Sequence, residues 1–304
     1  MDGLTGELAA LGTAACWAGT AMFFAAAGER IGSMAVNVIR LAMALVMLTI
    51  FEAVVRGHAL PTDATPFAWG WLSVSGLVGF TIGDLCLFRA LVVIGPRLSS
   101  LIMSLAPPAT ALIGWLVLGE TLTLRDWAGM TLTIAGIGWA IAERAPVQTT
   151  ATTPTPRHFG DTMVAGVALA CVGALGQAGG LVLSKLGMGR YDPFAATQIR
   201  IVAGTLGFVV VFTILGWWPR VAVAVRNRRA MTLTWLGAVF GPFIGVSLSL
   251  LAVQHTKAGI AASLMATSPI LVIPLVIVFR GERVGWGGIG GAVVAVAGVI
   301  LLMT

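Results

Sequence analysis

The stretch Gly79-Phe80-Thr81-Ile82-Gly83 returns 162 positions later as Gly241-Pro242-Phe243-Ile244-Gly245, each copy inside a long apolar run. The register continues without a gap, so that residues 79–141 lie on 241–303. Few positions are identical, but the kind of match is informative. Ala90 falls on Ala252, Pro107 on Pro269, Gly119-Glu120 on Gly281-Glu282 and Gly136 on Gly298. Upstream, at a slightly different offset, Ile39-Arg40 falls on Ile199-Arg200. Gly-x-x-x-Gly lets two helix backbones approach closely, and prolines and Gly-Glu pairs mark bends and ends. An internal repeat of helices is the reading.

Working outward, hydrophobic residues make up 58% of the 304 and charged residues 10%, with a mean hydropathy of +0.97. A water-facing surface needs more charge than that, so the outside must face lipid. A spanning helix needs ~20 mostly apolar residues. Ten candidates follow, at 7–27, 34–55, 67–91, 98–118, 127–142, 162–183, 194–217, 231–253, 258–279 and 284–303. Nine tryptophans, among them Trp69, Trp115, Trp217 and Trp286, fall near expected helix ends, where amphipathic rings prefer to sit. The break at 143–160 contains a Thr- and Pro-rich run and reads as a polar linker. The expected organisation is a first five-helix repeat at 1–142, the linker at 143–160 and a second repeat at 161–304. Because five is odd, the second repeat would enter the membrane inverted, around a central cavity at the midplane. The fold class expected is an all-α integral membrane protein of ten helices. Asp2 and Glu7 near the start, and the length of the first apolar run, argue against a cleaved leader. Cys16, Cys86 and Cys171 have no metal-type spacing and read as free thiols packed in the core.

The run Ile82-Gly83-Asp84-Leu85-Cys86-Leu87-Phe88-Arg89-Ala90-Leu91 is followed by Ile94-Gly95-Pro96, Ser104-Leu105-Ala106-Pro107 and Leu118-Gly119-Glu120. With the weaker second copy at Ser268-Pro269 and Gly281-Glu282, it resembles the drug/metabolite transporter superfamily of EamA type. The resemblance covers nearly the whole chain, and the chain looks similar to bacterial aromatic amino-acid exporters of that family. It implies a ten-helix inverted-repeat fold and transport of amino acids or other metabolites, often outward. One departure is Val246 where the first half has Asp84.

Several residues stand out at midplane depth. Pro107, Pro108 and Pro269 would lie at the centres of helices four and nine, freeing the carbonyls of Met103, Ser104 and Met265. Ser104, Thr267 and Ser268 add hydroxyls there. The alternatives are a substrate site or flexing point, and a structural kink. Trp17 and Gln177 could supply an aromatic wall and an amide, or simply pack helices. Arg40 and Asp84 sit at matching depths and can pair, because even a modest estimate puts an unpaired central charge at ~3 kcal/mol. Asp84 is then either half of a structural ion pair or a site for a proton or a substrate amine. Arg200 has no carboxylate at the equivalent place and is expected to snorkel to the interface. Glu120 and Glu282 read as interfacial turn residues.

His58, His158 and His255 have no metal spacing, and an intramembrane aspartyl protease would need a second helix-borne Asp, which Asp192 before Pro193 is not. An enzyme is therefore the weaker class, and no bound cofactor is implied. The expectation is a secondary transporter in the inner membrane, exporting small metabolites, with aromatic or other neutral amino acids first. Helices one, three, four, six, eight and nine would line its cavity. Its partners would be a small amphipathic substrate and membrane lipid, with protons as the candidate coupling ion and no nucleic acid. A multidrug exporter is the alternative within the class, and a non-transporting scaffold or passive pore the alternative outside it. The odd-numbered loops carry the arginine excess, which places them in the cytoplasm and both termini outside.

Overall fold

The computed structural model describes residues 2–143, 159–271 and 285–303, and its regular elements there are all helices joined by short connections. In chain order the helices are α1 Asp2–Ile31, α2 Ser33–Val55, α3 Pro66–Gly76, a π-helical segment π1 Leu77–Gly83, α4 Asp84–Val93, α5 Gly95–Met103, α6 Ala106–Leu118 and α7 Leu124–Glu143. Then come α8 Phe159–Met188, α9 Pro193–Ile214, the short α10 Trp218–Ala224, α11 Arg228–Ala238, π2 Val239–Gly245, α12 Val246–His255 and α13 Ala258–Met265. A further helix, α14, starts at residue 268 and is described to Leu271; α15 is Trp286–Met303. Most of the polar linker, the far part of the ninth expected helix and Gly281-Glu282 lie outside the described residues.

Among the described residues, eight helices are long and apolar enough to cross a membrane. Two of the ten expected spans are not among them, for different reasons. α7 carries Arg125 and Asp126 in its first turn and Glu143 at its end, which dilutes its 20 residues. The ninth is described only over Ala258–Leu271. The outward faces carry large apolar side chains at high exposure, such as Val54 at 79%, Leu116 at 67% and Val293 at 64%. A surface of that kind is matched to hydrocarbon, not to water.

The 162-residue register is written into the backbone. α3, π1 and α4 start at residues 66, 77 and 84, and their counterparts α11, π2 and α12 at 228, 239 and 246. The caps match too. Thr65 accepts from the Ala68 amide at the start of α3, and Asn227 accepts from the Ala230 amide at the start of α11. Each π segment widens the turn and releases carbonyls, which cannot be left bare at this depth. Neighbouring helices supply the donors. Gln177 Nε2 on α8 reaches the Gly79 carbonyl at 3.4 Å, and Thr13 Oγ1 on α1 donates to the Gly245 carbonyl at 3.3 Å.

Close packing rests on glycine. A Cβ on Gly176 would lie 2.8 Å from the Gly83 Cα, and one on Gly180 would lie 3.0 Å from the Gly79 Cα. The Gly-x-x-x-Gly of π1 therefore meets a second one on α8, which is how apolar helices gain contact in lipid. The three cysteines are free and half-buried.

One end of the bundle is tied across the two halves. Lys185 Nζ pairs with Glu120 Oε1 at 2.6 Å, and Lys257 Nζ pairs with Asp126 Oδ2 at 2.9 Å. Glu120 Oε2 also accepts from the Ala258 amide at 2.8 Å, capping α13. Glu120 is thus more than a turn residue. At the same end Arg56 holds Glu52 and Asp63, while the Tyr191 hydroxyl donates to Asp63. That hydrogen bond helps hold the Asp63 carboxyl below its usual range, and burial pushes the Tyr191 hydroxyl up to about 12.

Candidate functional site: a cavity between the two halves

The expected mid-helix prolines do not sit within continuous helices. α5 ends at Met103 and α6 begins at Ala106, so Pro107 occupies the second position of a new helix. α13 likewise ends at Met265, and Pro269 is the second residue of α14. A proline in a first helical turn loses no hydrogen bond, since those amides have no intrahelical partner anyway. The chain breaks before the proline, and a helix start looks the same as a kink in sequence. The broken helices leave backbone at mid-depth, tolerated where it lines a cavity. The Met265 carbonyl accepts from Ser268 Oγ at 2.9 Å, and the same hydroxyl lies 3.0 Å from the Ala14 carbonyl. Ser104 Oγ turns back to the Leu101 carbonyl.

A cavity of about 470 Å³ lies where these breaks face one another. Trp17, Met103, Ser104, Pro107, Met265 and Ser268 line it, as do Arg40, Asp84 and Gln177. Thr267 does not. It is buried, and its hydroxyl donates to the Leu264 carbonyl at 2.7 Å. The lining also draws on helices that sequence reasoning left out. Arg40 enters from α2, Ile137 and Ile141 from α7, and Arg200 from α9.

The polar core of the cavity is built around Asp84, which is 5% exposed at the start of α4. Arg40 Nη2 donates to Asp84 Oδ2, and Gln177 Nε2 donates to Asp84 Oδ1 at 2.9 Å. Arg40 is fixed from behind, with Nε donating to Asn37 Oδ1 at 2.7 Å and its guanidinium over the Phe24 ring at 5.4 Å. Ion pair and amide thus form one network joining α2, α4 and α8. Arg200 does not snorkel. It is 5% exposed, its guanidinium stands over the Phe80 ring at 4.9 Å, and it faces the same Asp84 through space. An aromatic face on π1 takes the role of a partner. Among the described residues no group of His, Cys, Asp and Glu could hold a metal ion.

Trp17 and Gln177 occupy matched places. The Gly245 position lies against the Trp17 indole, where a Cβ would come 3.1 Å from Nε1, while a Cβ on Gly83 would come 3.5 Å from the backbone nitrogen of Gln177. Each π segment thus packs its last glycine against the first helix of the other half. The helix breaks give a direct prediction. Pro269→Ala should let α13 and α14 run together through residues 266–267 and slow flux, with insertion into the membrane intact. Pro107→Ala should do less, because Pro108 still prevents the helix from closing. Flux equal to the unmodified protein in Pro269→Ala would leave the proline no part in the transport cycle.

Two halves of broken and π-distorted helices around a buried polar network and a cavity define a polytopic membrane protein. The chain belongs to the EamA-like transporter family, whose model matches it twice, over residues 4–142 and again over 164–304. It is therefore a membrane transporter of the drug/metabolite type. No curated protein matches the sequence. A solved crystal structure superposes on 97% of this chain and 94% of its own, with a TM-score of 0.73 at 16% identity, a likeness of fold alone.

Proposed function

We propose that the protein is a secondary transporter that exports small amphipathic metabolites, aromatic or other neutral amino acids first, by alternating access. The single observation that carries this reading is the mid-depth cavity of about 470 Å³, lined by broken helices from both halves. Its volume suits a molecule of amino-acid size, and apolar walls with few polar anchors suit an amphipathic one. In this reading ten helices form two inverted repeats, 1–142 and 161–304, joined by the linker at 143–160, in the inner membrane. α7 then counts as the fifth span, since it packs along α15. The Glu120–Lys185 and Asp126–Lys257 pairs tie the two halves together at one end of the bundle. With the arginine-rich odd loops in the cytoplasm, that end is the outer one. Protons are the proposed coupling ion.

The test is flux of a radiolabelled amino-acid panel in proteoliposomes holding the purified chain, with and without a pH gradient. Saturable counterflow of aromatic or bulky neutral amino acids is the expected result. Absence of flux for every compound would favour a scaffold, and unsaturable flux a passive pore.

A further inference from the structure

The charges on the cavity wall do not balance. Among the described residues it carries two guanidiniums, Arg40 and Arg200, and one carboxylate, Asp84. That carboxylate is committed, one oxygen to Arg40 and the other to Gln177. Arg200 has no ion pair among the described residues, and its Nε is buried without a hydrogen-bond partner. The repeat explains the asymmetry. Arg40 meets the acid of its own half, while the position equivalent to Asp84 in the second half is Val246. An ionisable side chain held inside a membrane protein without a partner marks a ligand position by default. The guanidinium is also prepared for one. It stacks on Phe80, and Nη2 lies against Gly79, where a Cβ would come within 3.4 Å of it.

We propose that Arg200 binds the carboxylate of the substrate, and that the cavity selects amphipathic carboxylates by that group and not by an amine. This rests on the transport reading above, because it takes the cavity as the substrate site. A planar guanidinium matches a carboxylate, with donors paired to both oxygens. The one surplus positive charge suits a monoanion. Trp17, Leu87, Ile137 and Met265 leave apolar wall for the rest of the molecule. A substrate ammonium would have to compete with Arg40 and Gln177 for Asp84, so an α-amino group adds little. Amino acids and simple organic acids share the required chemistry, and the test separates them.

The full chain in proteoliposomes is offered L-phenylalanine, 3-phenylpropionate, L-phenylalaninamide and phenethylamine, with binding read in parallel by ligand-dependent thermal shift in detergent. The expected result is that both acids bind and move, with 3-phenylpropionate at least the equal of phenylalanine, while the amide and the amine do neither. Arg200→Gln should weaken both acids by roughly 10- to 100-fold, the worth of a charge-assisted hydrogen bond. Arg200→Lys should keep part of the affinity. Without ligand, Arg200→Gln should unfold at the same temperature as the unmodified protein or higher, because it removes an unpaired buried charge. Phenylalanine moving well while 3-phenylpropionate does not would transfer selection to the amine and overturn the proposal, as would an amide that competes as well as the acids. If Arg200→Gln does not survive purification, the four-compound series on the unmodified chain still decides. Flux without carboxylate selection defeats this inference alone. No flux, with acid-specific thermal shifts abolished in Arg200→Gln, keeps it and defeats transport.

Discussion

Asp84→Asn is expected to cost about 3–5 kcal/mol of stability, and Asp84→Asn with Arg40→Gln to recover most of it. The geometry sets the sign. Asp84 accepts from Arg40 on one oxygen and from Gln177 on the other. An asparagine can accept on one side only, so its own amide would face a donor on the other. The change also leaves Arg40 and Arg200 on one cavity wall with no anion between them. Removing the Arg40 charge as well returns the wall to the single unpaired guanidinium it already tolerates. Thermal unfolding in detergent reads the first half of the prediction, and substrate counterflow the second. A proton-carrying Asp84 gives a different pattern. Then no change at Arg40 can replace a titratable group, and gradient-driven accumulation stays abolished in the double variant although it folds and exchanges substrate. We expect rescue, which identifies a structural pair. A stable double variant that exchanges but cannot accumulate would overturn it.

Much of the fold was legible because it depends on features that sequence carries directly. Apolar runs fix the spans, and the recurrence of Gly79 and Gly83 at Gly241 and Gly245 fixes the repeat register that the π segments and N-caps then follow. The π turns themselves were not legible. Pro242 lies inside π2 and explains a missing amide there, but π1 has no proline, and its widened turn is settled by contact with α8. The helix breaks at residues 104–105 and 266–267 were hidden for a related reason, since proline marks the place of an interruption and not its form.

The site was half legible. Arg40, Asp84, Gln177 and Trp17 were found from depth alone, because polar or bulky groups at the midplane are scarce. Arg200 was misread because its partner was sought at the repeat-equivalent position, which holds Val246. What holds Arg200 is an aromatic face three residues before Gly83, a contact between π1 and α9 that no spacing rule exposes. Likewise, nothing along the chain links Glu120 to Lys185, although the pair ties the two halves together.

The contact between α7 and α15 gives the second large effect, and it can be tested inside one helix. A Cβ on Gly136 would lie 2.4 Å from the Ala295 nitrogen and 2.6 Å from the Gly291 carbonyl oxygen. Gly291 is held as closely by α7, with 2.5 Å to the Ala140 nitrogen. These neighbours are backbone, so no rotamer change relieves the clash and the helices must separate, by about 1 Å to restore ordinary contact. In lipid no hydrophobic force restores the loss, because tails solvate a bared helix face as well as another helix does. Gly136→Ala is therefore expected to destabilise by about 1–3 kcal/mol, the usual cost of overpacking. Gly138, two residues on, meets only the Leu101 Cδ1, at 3.9 Å. Gly138→Ala should be neutral or stabilising, up to about 1 kcal/mol, since alanine favours a helix over glycine. Ile137 lies between the two glycines on the cavity wall, so separation of α7 should also slow flux in Gly136→Ala and leave it unchanged in Gly138→Ala. Thermal unfolding and counterflow on the pair settle the matter. Equal effects at both positions would mean that helix propensity, and not backbone contact, governs this seam.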